Sequence, residues 1–166
     1  MLACRRATVG DLLLYFEWAN DEEVRKNSFN PQKITLEQHK KWFEKKINDS
    51  DCLMFIVSIK ENEVGQIRFD KISDDSFETD FSIEKNFRGK GFGSDVIKIG
   101  TQELFKTRPL IKRVIGKVKK ENFPSKKSFL NAHFKRLENV DENCEIDVYY
   151  FDNELYGSTS NPGIGD

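Results

Sequence analysis

The chain has 166 residues, 33% charged and 37% hydrophobic, with a formal net charge of −1. That length suits one domain with a buried core. The charge balance excludes a globally basic nucleic-acid binder, and no apolar run approaches the ~20 residues of a membrane span.

Leu2 to Ala7 is expected as a short first strand. Thr8 and Asp11 form a capping box that opens a helix, with Leu12, Phe16 and Ala19 as its buried stripe. Asn20-Asp21 breaks it, and Glu22 to Lys26 leads into Asn27-Ser28-Phe29-Asn30-Pro31, a loop by composition. Thr35 and Gln38 cap the next helix, in which Leu36, Phe43 and Ile47 face inward beside Trp42. Three strands in an antiparallel meander follow: Leu53 to Lys60, nearly continuous in apolar residues; Val64 to Ile72, alternating Gly65, Ile67 and Phe69 with Gln66, Arg68 and Asp70; and Phe77 to Ile83. A helix then carries Val96, Gly100 and Leu104 at helical spacing. Leu110 to Val118 reads as a strand, a helix starts near Pro124, Leu137 to Val140 reads as a short strand, and Ile146 to Phe151 as another with Ile146, Val148 and Tyr150 on one face. One domain over 1–152 and a mobile tail over 153–166 are expected. Cys4, Cys52 and Cys144 are scattered, odd in number and without metal spacing, so reduced thiols and no metal are expected. Met1-Leu2-Ala3 meets Arg5-Arg6 with no apolar segment between, which points to a cytoplasmic protein.

The chemistry-bearing stretch is Arg88-Gly89-Lys90-Gly91-Phe92-Gly93, between a strand and a helix N-terminus. Glycines there let the backbone turn sharply, and the free N–H groups of the first helical turn attract phosphate. The Walker pattern fails because Gly91 stands where a hydroxyl is needed, and the dinucleotide pattern fails because Gly89, Gly91 and Gly93 are spaced by two. Arg-x-x-Gly-x-Gly, from Arg88 to Gly93, does fit. It resembles the pyrophosphate loop of the GCN5-related N-acetyltransferases, the GNAT superfamily. Asn122-Phe-Pro-Ser125-Lys-Lys-Ser-Phe129-Leu-Asn-Ala-His133-Phe134 resembles that family's later Asn-x-x-Ser-x-x-x-(Tyr/Phe)-x-x-x-Gly-Phe segment. The likeness runs from about Leu2 to Phe151. It implies a mixed α/β fold, with a mostly antiparallel central sheet of about 6–7 strands flanked by about 4 helices, and acetyl-coenzyme A as co-substrate.

The resemblance implies donor contacts from the loop residues Arg88, Gly89, Lys90, Gly91, Phe92, Gly93 and Ser94. It also implies main-chain contacts at Phe81 and Ile83 of the preceding strand, and contacts from Asn122, Ser125 and Phe129. An amine is mostly protonated at pH 7, so a base is useful. Glu78 occupies the strand position where many relatives carry a carboxylate, and Asp80 shares its face by the two-residue period; both equally fit solvent-facing strand positions. His39 is a further acid/base or substrate residue by its chemistry, or a helix-face residue beside Trp42 and Phe43. Many relatives place a tyrosine at position 129 to protonate the leaving thiolate, which phenylalanine cannot do. His133 replaces a usual glycine.

The segment Glu17-Trp18-Ala19-Asn20-Asp21-Glu22-Glu23-Val24-Arg25-Lys26-Asn27-Ser28-Phe29-Asn30, with His39 and Trp42, is similar to the acetyltransferases of pseudaminic acid biosynthesis. This implies the 4-amino group of a UDP-linked amino sugar as acceptor, in a surface-glycan or flagellin glycosylation pathway, with Arg25, Asn27, Ser28 and Trp42 on the substrate. Guanidinium matches phosphate, which favours Arg25. Asn27 to Pro31 also reads as a plain turn. Basic residues from Lys112 to Lys127 and acidic ones from Asp70 to Asp80 are either two solvated faces or a shelf for phosphates and an approach for an amine. Two other readings stand beside this one. The first is an acetyltransferase of protein or ribosomal-protein N-termini. The second is a non-catalytic coenzyme-A-binding module, to which Phe129 lends some support. Nucleic acid and membrane are not expected as partners, and the oligomeric state, homodimer included, stays open.

Overall fold

The computed structural model describes residues 1–138 and 145–154. The elements run β1 (Leu2–Arg6), α1 (Leu12–Ala19), α2 (Glu22–Asn27), α3 (Leu36–Ile47), β2 (Cys52–Ile59), β3 (Asn62–Ser73), β4 (Ser76–Ile83), α4 (Phe92–Thr107), β5 (Arg113–Lys119), α5 (Phe123–Asn131), β6 (Lys135–Arg136) and β7 (Ile146–Asp152). The seven strands form one sheet in the order β1-β2-β3-β4-β5-β7-β6. Every neighbouring pair is antiparallel except β4 and β5, which are parallel. The mixed, mostly antiparallel sheet expected from the sequence is present. Val140 and Cys144 lie outside the described residues, as does the expected tail from 155 onward. Asn153, by contrast, is buried and bonds to the main chain of Lys112 and Ile111.

The sheet is covered on both faces. Ile67, Phe69 and Phe77 pack with Val96, Ile97 and Leu104 of α4 and Phe129 of α5. Met54 and Ile56 pack on the other face with Tyr15, Trp18 and Phe43 of α1 and α3. Strand β2 is therefore buried on both sides, which is why it reads as an unbroken apolar run.

Three local expectations, at Thr8, in α1 and in α3, are corrected. Thr8 and Asp11 bracket a single 3-10 turn at Val9–Asp11 before α1 begins, and the Asp11 carboxylate accepts from the Thr8 N–H at 2.7 Å. The buried residues of α1 are Tyr15 and Trp18, with Leu12, Phe16 and Ala19 only half-buried. The Tyr15 hydroxyl reaches the Phe55 carbonyl of β2 and fixes which side of the helix turns inward. In α3 the inward pair is His39 and Phe43, four apart, while Leu36 is exposed. On β7, Ile146, Val148 and Tyr150 share one face as expected, and Asp147 and Tyr149 form the buried face opposite. There Tyr149 stacks on Phe129 at 5.6 Å, and Asp147 pairs with Lys126 and Arg136.

Candidate active site

The sheet opens where β4 and β5 part. Their parallel pairing ends at Thr79 opposite Gly116, although β4 continues to Ile83 and β5 to Lys119. The Glu84 N–H donates to the Val64 carbonyl on β3 at 2.8 Å. Counting back along the strand by twos, Ser82 and Asp80 turn their main-chain groups to β3, and Phe81 and Ile83 turn theirs toward the open side. A row of strand N–H and C=O groups is thus left to face a ligand instead of a neighbouring strand. The Ile83 carbonyl accepts from Arg88 Nε at 2.9 Å; the N–H of Ile83 and both main-chain groups of Phe81 look into the gap.

The loop after β4 points the same way. Gly89 and Gly91 have φ of +73° and +88°, and nothing lies within 4 Å of a Cβ built on either. The backbone twist, not lack of room, calls for glycine. Gly91 leads into α4, so the first N–H groups of that helix, from Phe92 to Ser94, lack intrahelical partners and form an anion cradle. Side chains of the loop turn elsewhere: Lys90 Nζ donates to the Asn86 carbonyl, Ser94 Oγ to the Gly91 carbonyl, and Arg88 Nη2 to Asp21. On the opposite bank, the Asn122 side chain caps α5 by accepting from the Ser125 N–H at 3.2 Å.

Phe129 is buried, and the Cζ tip of its ring would lie 2.3 Å from a Cβ on Gly116. Phe81, Phe134 and Tyr149 surround the ring. The ring thus occupies the space that a side chain at position 116 would fill. His133 adopts φ of +67°, the left-handed conformation that a glycine would supply. Its N–H bonds the Leu130 carbonyl, and the Phe134 N–H bonds the Phe129 carbonyl, closing α5 with a Schellman motif.

The second wall of the cleft comes from the α1–α3 face. Arg68 of β3 lies over the Trp42 ring at 5.2 Å, its Nε donates to Asp70 at 2.7 Å, and its Nη1 is 3.9 Å from Asp80. The fork is three-quarters buried, yet its two terminal nitrogens make no hydrogen bond to the described residues. Asp80 lines the cleft with a side chain 60% exposed. Glu78, two residues back on the same face, pairs with Lys117 at 2.8 Å. Gln66 Nε2 donates to Ser82 Oγ, and its Oε1 is buried with no hydrogen-bond partner among the described residues.

His39 is 1% exposed, with Nε2 at 3.0 Å from the Leu12 carbonyl. A carbonyl only accepts, so Nε2 carries the proton. Burial depresses the imidazole below its ordinary pKa and keeps it neutral. Packed among Phe16, Trp42 and Phe43, it supports Trp42 from behind. Arg25 donates to the carbonyls of Asn30 and Gln32 and to Ser28 Oγ, which holds the 28–32 loop, while its Nε donates to the Ala19 carbonyl at the end of α1. Asn27 and Ser28 bond back to the Glu23 and Val24 carbonyls. Arg25, Asn27 and Ser28 thus build the wall, and Trp42 lines it. Between the walls lies a cleft of about 690 Å³. Its lining carries Arg25, Arg68, Arg88, Lys117, Lys119 and Lys127 against Glu23 and Asp80.

Sequence reasoning did not single out Arg68, Gln66 or Asp21. The signal for Arg68 and Gln66 was the polar face of β3, which reads as solvated unless one knows that α3 covers it.

Residues 2–135 match a family model described as an acetyltransferase (GNAT) domain. The chain belongs to the GNAT acetyltransferase family. Solved structures similar to this GNAT chain include the spermidine N-acetyltransferase from Vibrio cholerae in complex with CoA and spermine, at 21% identity over 92% of this chain and 96% of that one, with a TM-score of 0.78. AAC(6')-Ib in complex with ribostamycin and coenzyme A is 15% identical over 98% and 99%, with a TM-score of 0.80. RimL, a ribosomal L7/L12 alpha-N-protein acetyltransferase in complex with coenzyme A, is 16% identical over 91% and 93%, with a TM-score of 0.75. No curated protein matches by sequence. The chain is therefore, by its family match, an acetyltransferase of the GNAT type. Among the described residues no helix is long and apolar enough to cross a membrane, and no group of three or more His, Cys, Asp or Glu is placed to hold a metal.

Proposed function

We propose that this GNAT chain acetylates the primary amine of a nucleotide-linked amino sugar, of the UDP-4-amino kind that the 17–30 segment resembles. The observation that carries the reading is the acceptor wall: a guanidinium at Arg68, over the Trp42 ring, whose terminal N–H groups make no hydrogen bond to the described residues and whose Nη1 stands 3.9 Å from Asp80. A largely buried fork whose terminal nitrogens make no hydrogen bond to the described residues suits the oxygens of a sugar or phosphate. The cationic excess of the lining favours an anionic acceptor and opposes a polyamine.

In this reading acetyl-CoA enters between β4 and β5, with its diphosphate on the N–H groups of Gly89 to Ser94 and its pantetheine arm along Phe81 and Ile83. Asn122 and Ser125 bound it on the far side, and Phe129 forms its floor. The Phe81 N–H donates to the thioester oxygen as negative charge develops there. Asp80 holds the incoming amine and takes its proton, directly or through one water. Glu78, paired with Lys117, keeps a supporting position. The thiolate departs without a side-chain acid at position 129, consistent with an ordinary thiol pKa near ~8.5.

Free-thiol release from acetyl-CoA, measured against a UDP-4-amino-4,6-dideoxy sugar, spermidine, an aminoglycoside and peptides with free N-termini, tests this. Release with the sugar at least about tenfold faster than with the others is expected. Release with peptides alone moves the acceptor to a protein N-terminus, and tight acetyl-CoA binding without release from any acceptor favours a non-catalytic module.

A further inference from the structure

The phosphate loop and the acceptor wall lie far apart in the chain but meet in one ion pair. Arg88 Nη2 donates to Asp21 Oδ1 at 2.7 Å while its Nε holds the Ile83 carbonyl at 2.9 Å. The side chains are only 28% and 22% exposed. The same Asp21 oxygen caps α2, accepting from the N–H groups of Glu23 and Val24 at 3.1 and 3.2 Å. At the other end of α2, Arg25 clasps the 28–32 loop through its carbonyls. A continuous set of polar contacts therefore runs from the glycine loop through Arg88, Asp21 and α2 to the wall that meets the acceptor. Arg88 also grips the last residue of β4, next to the open edge.

We infer that Asp21 is a positioning residue that couples donor binding at the Gly89–Ser94 loop to the arrangement of the acceptor wall, acting through Arg88. The inference rests on the reading that this loop holds the coenzyme's phosphates. Anchored at Asp21 and Ile83, Arg88 fixes the start of the left-handed glycine turn, so the N–H groups of the cradle stay aimed at one point. Released, the guanidinium no longer sets where the turn begins, and α2 loses its only tie to the loop among the described hydrogen bonds. Coupling of this kind is reciprocal: whatever α2 does for coenzyme binding, the coenzyme does for α2.

The sign of one substitution separates this from simple electrostatics. Asp21 is an anion near an anion-binding loop. On Coulomb grounds alone, neutralising it tightens binding of coenzyme A; positioning through Arg88 requires the opposite. Asn remains a good N-cap, so Asp21→Asn removes the ion pair while leaving α2 capped. Calorimetric titration of the full chain with coenzyme A is expected to give about fivefold or greater weakening for Asp21→Asn and for Arg88→Met. The double variant should be no weaker than the worse single one, as expected for two residues acting as a unit. Amide hydrogen exchange at Glu23 and Val24 is expected to slow when coenzyme A is added to the native chain, and to be indifferent to it in Arg88→Met. Equal or tighter binding by a folded Asp21→Asn variant, or exchange in α2 that ignores the coenzyme in the native chain, overturns the coupling while leaving the loop's role intact. A native chain that does not bind coenzyme A overturns both.

Discussion

Asp80 and Glu78 project from the same face of β4 and differ in what they touch. Glu78 is held by Lys117, whereas Asp80 stands in the cleft within 3.9 Å of the Arg68 fork. Asp80→Asn is expected to lower kcat/KM by about 100-fold, the lower range for a lost proton acceptor, and Glu78→Gln by less than about threefold; steady-state thiol release with the proposed acceptor checks both, and the reverse order would move the base to Glu78. Phe129 invites the opposite kind of test. Its ring is buried among Phe81, Phe134 and Tyr149, so the added hydroxyl of Phe129→Tyr is expected to overpack the core, at a cost of about 1–3 kcal/mol. A lower melting temperature with no gain in rate is expected. A faster enzyme would mean that the hydroxyl reaches the sulfur after all.

At the scale of elements, α5 shows how a local rule can be broken and still hold. The Schellman closure needs a left-handed residue, and His133 supplies it at φ +67° with Phe134 packed on Phe129 at 5.1 Å between ring centres. A side chain there is strained by roughly 1 kcal/mol relative to glycine, partly offset by the greater freedom glycine has in the unfolded chain. His133→Gly is therefore expected to stabilise the fold by about 0.5 kcal/mol, seen as a higher urea midpoint at unchanged slope; a lower midpoint would show that the imidazole makes contacts worth more than the strain. The expected motif glycine was legible as missing, but its conformational role became visible only with the backbone. Similarly, the capping box Thr35–Gln38 was readable from spacing and is made in both directions. The inward face of α3 was readable at Phe43 and Ile47, but not at its start, where His39 is buried and Leu36 is exposed.

Across the whole molecule, carboxylates tie separate layers together. The Arg5 guanidinium holds Asp11 below the usual carboxylate range. Burial acts to raise Asp147, Asp70 and Asp21, but Lys126 and Arg136, Arg68 and Lys46, and Arg88 with the α2 N–H groups outweigh it, so these three are also depressed. Each folded pKa lies below its unfolded value of ~3.9, so the stability these groups contribute is complete above that value and is lost as pH falls through the folded pKa. Melting temperature is expected to be flat from about pH 7 to 5 and to fall steeply below about pH 4, with part of the slope removed in Asp147→Asn. A melting temperature unchanged down to about pH 3 would contradict the sign.

The fold was legible because strand alternation and the glycine loop are local patterns, and the donor half proposed for the site could be named from the sequence because it depends on main-chain groups at fixed offsets from Gly91. The proposed acceptor half was less readable. Arg68, Trp42 and Asp80 come from three elements, and nothing in the spacing of β3 says that α3 will cover its polar face. Arg25 was readable as a cation but not as the clasp of its own loop.

The central claim is that the thioester lies at the open edge of β4, with the amine arriving from the Asp80 side. Backbone amide NMR of the native chain titrated with acetyl-CoA addresses it most directly. The largest shifts are expected at Phe81, Ile83 and Gly89 to Ser94, with smaller ones at Asn122 and Ser125 and little change along β1 and β2. Shifts concentrated on the lysines from 112 to 127, with Phe81 and Ile83 unmoved, would contradict the account.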